Sequence, residues 1–405
     1  MNCTPTAVLL NEATWRFVAD HAHDDIRRLA LQGGRWPDVD LPKALEQIGG
    51  RQTARRKLPS WAAVEGVVYP SRLALEQCSS EATARYKAAL LPHGGTLVDL
   101  TGGLGVDCAA MAAGFERVVY VERQSWLCQC ARHNFPLLGL QHVEVVNADA
   151  EDYLHILAEA DAIYLDPARR DIKGNRTYAI ADCSPDVSAL AQELLAKAPV
   201  VLVKLSPMLD VSHTLAALPH VSDMHIVSAG GECKELLVVM QRDHHGSTTM
   251  HCANDGDTFT YQWGTAVQPP AVWDGECVSG MCLYEPNPSM MKAGCFGHVA
   301  AHYGLAVVSG DSHLLVGLCV DDFQGRSFSI HTIATMNKRE LRQALASIAQ
   351  ANVAVRNFPM SAATLAQRLK LRDGGDTYIF GTTTAQGQHV LLIGHKHPCN
   401  SRVQQ

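Results

Sequence analysis

The stretch DLTGGLGVD, residues 99 to 107, places three glycines within four positions directly after an apolar run. Where a strand turns into a helix, glycines let backbone N–H groups approach a ligand, and the helix dipole favours negative charge there. A dinucleotide-binding loop follows the pattern G-x-G-x-x-G/A, but Cys108 stands at the third of these positions. Asp99, at the end of the apolar run, would also repel a pyrophosphate. The loop is therefore more typical of a ligand that carries positive charge.

The spacing of Asp99, Thr101, Gly103 and Gly105 fits the pattern D-x-[GT]-x-G-x-G. S-adenosylmethionine meets the electrostatic requirement, because it carries a sulfonium and an α-amino group. The loop thus predicts that the glycines admit an adenosyl group rather than a diphosphate. A dinucleotide-dependent oxidoreductase is the alternative reading of the loop, and titration with NAD(H) would distinguish the two.

Acidic residues also follow the next three predicted strands. Glu122 closes VVYVER, where a carboxylate accepts hydrogen bonds from ribose hydroxyls. Asp149 follows VEVVNA and is placed to accept from the adenine amino group, while Asp166 ends AIYL beside the transferable methyl group. Any one of these acids could simply cap a loop or helix, but four in register favour a site. The predicted cofactor-binding residues are Asp99, Thr101, Gly102, Gly103, Gly105, Glu122, Arg123, Asp149 and Ala150.

The elements that must position these residues follow from hydrophobic periodicity. Apolar residues recur at helical spacing from about residue 7 to 48, and a second helix is predicted within residues 75 to 91. After residue 95, short apolar runs alternate with helical segments, which indicates parallel strands joined by crossovers. The runs MHIVS and ELLVVM, separated by AGGECK, indicate an antiparallel hairpin. Strands are predicted at 96–100, 118–121, 143–147, 162–165 and 200–205, with helices near 106–114, 125–137 and 185–197.

Through DLTGGLG, VERQ, NADA and LDPARR, roughly residues 93 to 243 resemble the class I S-adenosylmethionine-dependent methyltransferases. KLPSW, EQCSSEATARYK, VKLSPMLD, EPNPSMMKAG and the C-terminal RNFP resemble a bacterial group of these enzymes that carries a C-terminal THUMP-like domain. The resemblance implies an α/β fold, a Rossmann-like sheet of seven strands with a final antiparallel strand. It also implies an N-terminal helical region (1–92), the methyltransferase domain (93–243), a small α+β, ferredoxin-like region (244–325) and a THUMP-like domain (326–405).

Charge is unevenly distributed along the chain. The formal net charge is −7, yet residues 323 to 405 carry ten Lys and Arg against three Asp and Glu. Such a basic segment is typical of a nucleic-acid-binding appendage, although an ordinary solvated face is the alternative. THUMP modules bind RNA and present it to an attached modifying domain. The resemblance therefore implies RNA as partner, with tRNA and rRNA not distinguished.

The acceptor end of the site is predicted at DPARR. Asp166 and the Pro167 carbonyl would accept hydrogen bonds from a base amine, as in the D/N-P-P-Y/F/W loop of amino-group methyltransferases, but Ala168 and Arg169 replace the second proline and the aromatic residue. DPAR also resembles the loop of 5-methyluridine RNA methyltransferases, whose cysteine nucleophile has no counterpart in the sequence KLSP at 204–207. A base nitrogen is therefore favoured. The predicted catalytic residues are Asp166 and Pro167, and the predicted substrate-binding residues are Arg169, Arg170, Lys204 and Ser206.

Two rival functions remain open at this point. The first is methylation of a protein or small molecule, with the C-terminal domains serving as a lid or dimer surface. The second is a protein that binds the cofactor without turnover, which the atypical DPAR loop would suit.

The remaining composition sets limits on other kinds of site. The 13 cysteines include no CxxC pair and the histidine pairs lack further ligands at suitable spacing, so we expect no metal. We interpret the cysteines as reduced thiols. No apolar run reaches the ~18 residues of a membrane helix, so a cytoplasmic protein without membrane contact is expected. The oligomeric state is not determined by the sequence.

Overall fold

The computed structural model describes residues 10–70, 72–169 and 180–397. The chain divides into two compact units. The first contains Met1–Met224 and Glu235–Thr248, and the second contains His225–Lys234 and Thr249–Gln405. Arg170, one of the predicted substrate-binding residues, lies outside the described residues.

The first unit begins with a helical region, as the periodicity of the sequence predicts. Its helices start at polar caps: the Asn11 side chain accepts from the Thr14 N–H, and the Ser80 side chain accepts from the Thr83 N–H. Helices α1 to α6 span Glu12–Asp20, Ile26–Ala30, Leu41–Lys57, Pro59–Ala63, Arg72–Gln77 and Glu81–Ala88.

A central sheet follows in the first unit. Its strands are rich in buried Val, Leu and Ile, as expected for parallel strands covered on both faces. Strands β1 to β9 span Thr96–Asp99, Arg117–Val121, Val143–Val146, Ala162–Leu165, Ala168–Arg169, Cys183–Ser184, Val200–Leu205, Val221–Ala229 and Glu232–Gln241. Hydrogen bonding orders seven of them as β8-β9-β7-β4-β1-β2-β3. Strand β9 pairs antiparallel with β7, as predicted for the final strand of this sheet.

Helices of the first unit alternate with these strands. Helices α7 to α11 span Val106–Ala112, Ser125–Leu137, Ala150–Ile156, Val187–Lys197 and Val211–Ala217. Strand β1 pairs in parallel with β2 on one side and with β4 on the other. The carboxyl ends of β1, β2, β3 and β4 therefore meet along one edge, where the predicted site residues lie.

The second unit is an α+β structure. Strands β10 to β18 span Thr249–Asn254, Asp257–Gln262, Met281–Pro286, Ala306–Val307, Leu315–Leu318, Gly325–Thr335, Asn352–Arg356, Thr377–Thr383 and His389–Lys396. Helices α12 to α15 span Pro288–Ala293, Phe296–Tyr303, Lys338–Ala344 and Ala362–Leu369. Seven of the strands form one sheet in the order β13-β14-β12-β15-β18-β17-β16. The sequence pattern of residues 290–303 predicts one helix, but this prediction is wrong, because Gly294 adopts φ +65° and ends α12 before α13 begins.

Two further features bear on the sequence expectations. Cys282 and Cys319, 37 positions apart in the second unit, form a disulfide, so the expectation of reduced thiols is wrong for this pair. Within the described ranges, none of the helices combines the length and apolar character needed to cross a bilayer.

Candidate active site

Packing within the first unit requires two of the three loop glycines. A Cβ atom on Gly102 would lie 2.2–2.5 Å from atoms of the Tyr120 ring. A Cβ atom on Gly105 would lie 2.8 Å from the Phe135 ring, and Gly105 has φ +86°, which strains any other residue. The space at Gly103 is open, since the nearest atom to a Cβ there is 3.8 Å away. The loop thus needs glycine partly for its own protein contacts.

Hydrogen bonds fix the loop to the neighbouring strand ends. The Gly103 N–H donates to Glu122 Oε2 at 2.9 Å, and the Gly103 carbonyl accepts from the Tyr120 hydroxyl at 2.5 Å. The Asp166 N–H donates to Thr101 Oγ1 at 2.5 Å, which joins the loop to the end of β4. These bonds hold the loop in one conformation.

The loop forms one wall of a cavity of about 480 Å³ within the first unit. This volume lies in the usual range for small-molecule sites, roughly 300–1,000 Å³. Nine of the predicted residues line it, namely Thr101, Gly102, Gly103, Gly105, Glu122, Arg123, Asp149, Ala150 and Asp166. Four predicted residues that the structure describes do not line it, namely Asp99, Pro167, Lys204 and Ser206. Of Arg169 the structure describes only the backbone, in β5.

Asp99 lies behind the loop. Its side chain is buried, Oδ1 accepts from the Thr101 N–H at 3.0 Å, and Oδ2 has no hydrogen-bond partner among the residues that the structure describes. Burial raises the pKa of the Asp99 carboxyl well above its usual value, and the carboxylates of Asp107, Asp166 and Glu122 add to the rise. The described contacts of Asp99 are therefore with the loop backbone, and its contact with a cofactor remains a prediction.

Asp166 and Lys204 form an ion pair at the ends of β4 and β7. Lys204 Nζ lies 2.5 Å from Asp166 Oδ2, with 14% of the lysine side chain and 38% of the aspartate side chain exposed. Burial raises the pKa of the Asp166 carboxyl, and the Lys204 ammonium opposes that rise. Burial disfavours the charged lysine, but the Asp166, Asp107 and Glu235 carboxylates outweigh it and raise the pKa of Lys204. Lys204 therefore acts on the site through Asp166.

The cavity extends from Asp166 to a small antiparallel pair, β5 and β6, through Ala168, Ser184 and Pro185. The pair has no sequence signal, because each strand has only two residues. Pro167 is buried beside them, and the Ser206 hydroxyl accepts from the Met208 N–H at 3.3 Å.

A buried group of polar residues, which sequence reasoning also missed, lies against the cavity on the β4 side. Asp107 lines the cavity and accepts hydrogen bonds on Oδ2 from the Ser79 and Tyr164 hydroxyls, each at 2.8 Å. Lys87, fully buried, lies 3.2 Å from Asp107 Oδ1 and donates to both carboxylate oxygens of Glu235 at 2.8 and 2.9 Å. Asp107 lies two residues after the last glycine of the loop, so its position in the glycine pattern could have marked it as a site residue. Lys87 and Glu235 are 148 positions apart, and no sequence signal joins them.

The chemistry of the cavity wall suits S-adenosylmethionine. Carboxylates of Glu122 and Asp149 lie at the β2 and β3 end, where they can accept from hydroxyl and amino groups. Carboxylates of Asp107 and Asp166 lie at the β1 and β4 end, where they favour a cation. The residues present thus fit an adenosyl ligand that carries positive charge.

Comparison with known proteins supports this architecture. A THUMP domain-like family model matches residues 325–396, and a ferredoxin-like domain model matches residues 283–323. The crystal structure of a "putative methyltransferase" from Porphyromonas gingivalis W83 is 35% identical to this chain, with a TM-score of 0.85. The match covers 98% of this chain and 100% of that chain. No curated protein matches the chain.

Two other solved structures match only part of the chain. A SAM-dependent methyltransferase from Agrobacterium tumefaciens is 14% identical, with a TM-score of 0.32, over 40% of this chain and 61% of that chain. An rRNA methylase from Streptococcus thermophilus is 13% identical, with a TM-score of 0.29, over 40% of this chain and 93% of that chain. At these scores neither protein informs the function of this one.

Proposed function

The chain belongs to the class I S-adenosylmethionine-dependent methyltransferases with a C-terminal THUMP-like domain, and from this premise we propose that it methylates RNA on a base nitrogen. The observation that carries the choice of RNA is the match of residues 325–396 to a THUMP-like domain, since the same segment is strongly basic. The choice of nitrogen rests on the carboxylate of Asp166 at the edge of the cavity.

The cofactor is assigned to the cavity of the first unit. Glu122 would accept from the ribose hydroxyls and Asp149 from the adenine amino group, while the Gly103 region leaves space for close approach. Both Glu122 oxygens already accept backbone N–H groups, from Gly103 and from Gln124, which orients the carboxylate. When bound, S-adenosylmethionine supplies a methyl group activated by its sulfonium.

Asp166 would act on the acceptor. A base amine donates a hydrogen bond to the carboxylate, which orients the nitrogen lone pair toward the methyl carbon. Methyl transfer would replace the carbon–sulfur bond by a carbon–nitrogen bond, and the amine would lose one proton to solvent or through Asp166. The Lys204 ammonium favours the ionised form of Asp166, which accepts the hydrogen bond.

The basic residues of the THUMP-like domain differ in their availability to RNA. Arg326 and Arg356 both pair with the buried carboxylate of Glu285, which offsets one of their two positive charges. Helix α14 carries three exposed cations, and four more lie on the last 40 residues of the segment. These exposed residues are Lys338, Arg339, Arg342, Arg368, Lys370, Arg372 and Lys396.

Filter binding with total RNA from a strain that lacks the gene tests the RNA assignment. Substitution of Lys338, Arg339 and Arg342 by Gln should weaken binding and reduce the dependence of log K on log salt by about 0.7 per lost single-strand phosphate contact. Arg326→Gln is the matched control, because its guanidinium is paired with Glu285 and should contribute no such contact. An RNA affinity that does not change with salt concentration would overturn the assignment of RNA as substrate and favour a protein or small-molecule acceptor.

A further inference from the structure

A cluster of two cysteines and one histidine lies in the second unit, apart from the residues assigned to methyl transfer. Cys282 lies in β12, Cys319 directly follows β14, and His397 directly follows β18. Each of the three offers one ligand atom, a sulfur or an imidazole nitrogen, and these atoms lie within 4.8 Å of one another. Two thiolates and an imidazole form a donor set that suits a borderline-soft divalent cation such as Zn²⁺.

Strand pairing brings these residues together from distant parts of the chain. Strand β12 pairs with β14 on one side and with β15 on the other, and Cys282 lies opposite Gly317 and Ser329 in the two pairings. The His397 N–H donates to the Ser327 carbonyl at 2.8 Å, which places the end of β18 beside β15. The sequence spacing predicted no metal, because it can recognise only ligands that are close in the chain.

A serine hydroxyl lies between two members of the cluster. Ser329 Oγ is 2.9 Å from His397 Nδ1 and 3.9 Å from Cys282 Sγ. Metal-binding histidines are commonly oriented in this way, by a hydrogen bond from one ring nitrogen to a neighbouring polar group. Cys282 is buried, His397 is half-buried and Cys319 is exposed. One side of the cluster is therefore open to solvent, so water can complete a four-coordinate site.

The disulfide between Cys282 and Cys319 is the oxidised form of the cluster, in which neither sulfur is a thiolate. A phosphine reductant and water convert the disulfide to two thiols, and the phosphine becomes its oxide. A divalent metal ion then binds both sulfurs as thiolates and releases the two thiol protons. Ligand atoms around tetrahedral zinc lie roughly 3.3–3.8 Å apart, since Zn–N and Zn–S bonds are about 2.0–2.3 Å long. The cluster therefore needs only small side-chain shifts to hold the ion.

We propose that Cys282, Cys319 and His397 bind one Zn²⁺ ion in the reduced protein, with Ser329 as a positioning residue. The disulfide and the metal use the same two sulfurs, so each form excludes the other. The metal would link β12 to the end of β14, as the disulfide does, and would also attach the end of β18. The proposal is independent of the proposed function, because all four residues belong to the second unit.

Absorption spectroscopy with Co²⁺ as the probe tests the proposal. Co²⁺ occupies tetrahedral zinc sites, and its bonds to thiolates produce a charge-transfer band in the near ultraviolet. Full-length protein is freed of metal, reduced with a phosphine under argon and titrated with Co²⁺, and oxidised protein is titrated in parallel. Reduced protein should develop the band with an end point at one equivalent of Co²⁺, and oxidised protein should not. Zn²⁺ should then remove the band by displacing Co²⁺.

Variants identify the ligands. Cys319→Ser should abolish the band, and His397→Gln should weaken Co²⁺ binding by at least about 10-fold, since loss of an outer partner alone typically costs 10- to 100-fold. Ser329→Ala should lower the affinity but keep the band, because both thiolates remain. Cys277→Ser and His389→Gln are the matched controls, since Cys277 is a free, exposed cysteine and His389 is an exposed histidine of β18. Both controls should bind Co²⁺ like the wild-type protein.

Each remaining outcome would overturn the proposal. Reduced wild-type protein without the band would show that the cluster is only a disulfide, and equal binding by oxidised protein would exclude the two sulfurs as ligands. A band that persists in Cys319→Ser, or an affinity unchanged in His397→Gln, would assign the ion to other residues. Thermal unfolding provides a second readout, because Zn²⁺ should raise the Tm of reduced wild-type protein but not that of Cys319→Ser. Circular dichroism shows whether each variant is folded.

Discussion

Replacing Lys204 with Met should make methyl transfer fail at low pH. The Lys204 ammonium opposes the effect of burial on Asp166, whose pKa is raised above its usual value. Without the ammonium this opposition is lost, so the pKa of Asp166 should rise further. Because the ionised carboxylate accepts the hydrogen bond, activity is present above that pKa and is lost as pH falls through it.

The size of the effect follows from the exposure of the pair. Removing one partner of a fully buried ion pair costs about 3–5 kcal/mol. Since 38% of the Asp166 side chain is exposed, solvent screening should reduce this to about 1–3 kcal/mol. One pKa unit corresponds to about 1.4 kcal/mol, so the acidic limb of the pH–rate profile should move upward by about one to two units.

The measurement is the pH dependence of kcat/KM for labelled methyl transfer into RNA. Lys204→Arg retains the positive charge and should keep the limb near its wild-type position. Lys197→Met is the matched control, because the Lys197 ammonium donates to the Leu157 carbonyl and does not contact Asp166. A Lys204→Met protein that is folded and has the wild-type pH profile would refute the role given to the pair.

Two further predictions concern stability. Gly102→Ala should destabilise the first unit by about 1–3 kcal/mol in urea unfolding, because its Cβ overlaps the Tyr120 ring, whereas Gly34→Ala, with open space, should cost much less. If both variants lost the same free energy of unfolding, the Tyr120 ring would have to move aside at no cost, and the reasoning would be wrong. The Cys282–Cys319 disulfide should contribute about 2–4 kcal/mol by closing a long loop. Reductant should therefore lower the Tm of the wild-type protein but not that of the Cys282→Ala/Cys319→Ala variant. A wild-type Tm that is the same with and without reductant would contradict the presence of the disulfide.

The sheet and the strand-end acids could be predicted because their signals are local. Continuous apolar runs mark β1, β4 and β7, and a polar residue directly after a parallel strand must lie at the common edge. The predicted helix over 125–137 matches α8, Ser125–Leu137. The break between α12 and α13 was not predicted, since Gly294 is a single residue within an otherwise helical pattern.

Contacts between distant segments could not be predicted from one sequence. The pairing of Lys87 with Glu235 joins α6 to β9, and neither residue has a local pattern that marks it as buried. Arg326 and Arg356 read as free basic residues, yet both pair with Glu285, whose carboxylate offsets one of their two positive charges. Charge counts along a chain therefore overestimate the charge that is available to a partner.

The most direct test of the central claim is to identify the methylated product. Purified protein is incubated with S-adenosylmethionine carrying a deuterated methyl group and with RNA from a strain that lacks the gene, and the digested nucleosides are analysed by mass spectrometry. We predict deuterated methyl on the nitrogen of one base with wild-type protein and none with Asp166→Ala that still binds cofactor. Label in protein, label on ribose or base carbon, or equal label with both proteins would contradict the account.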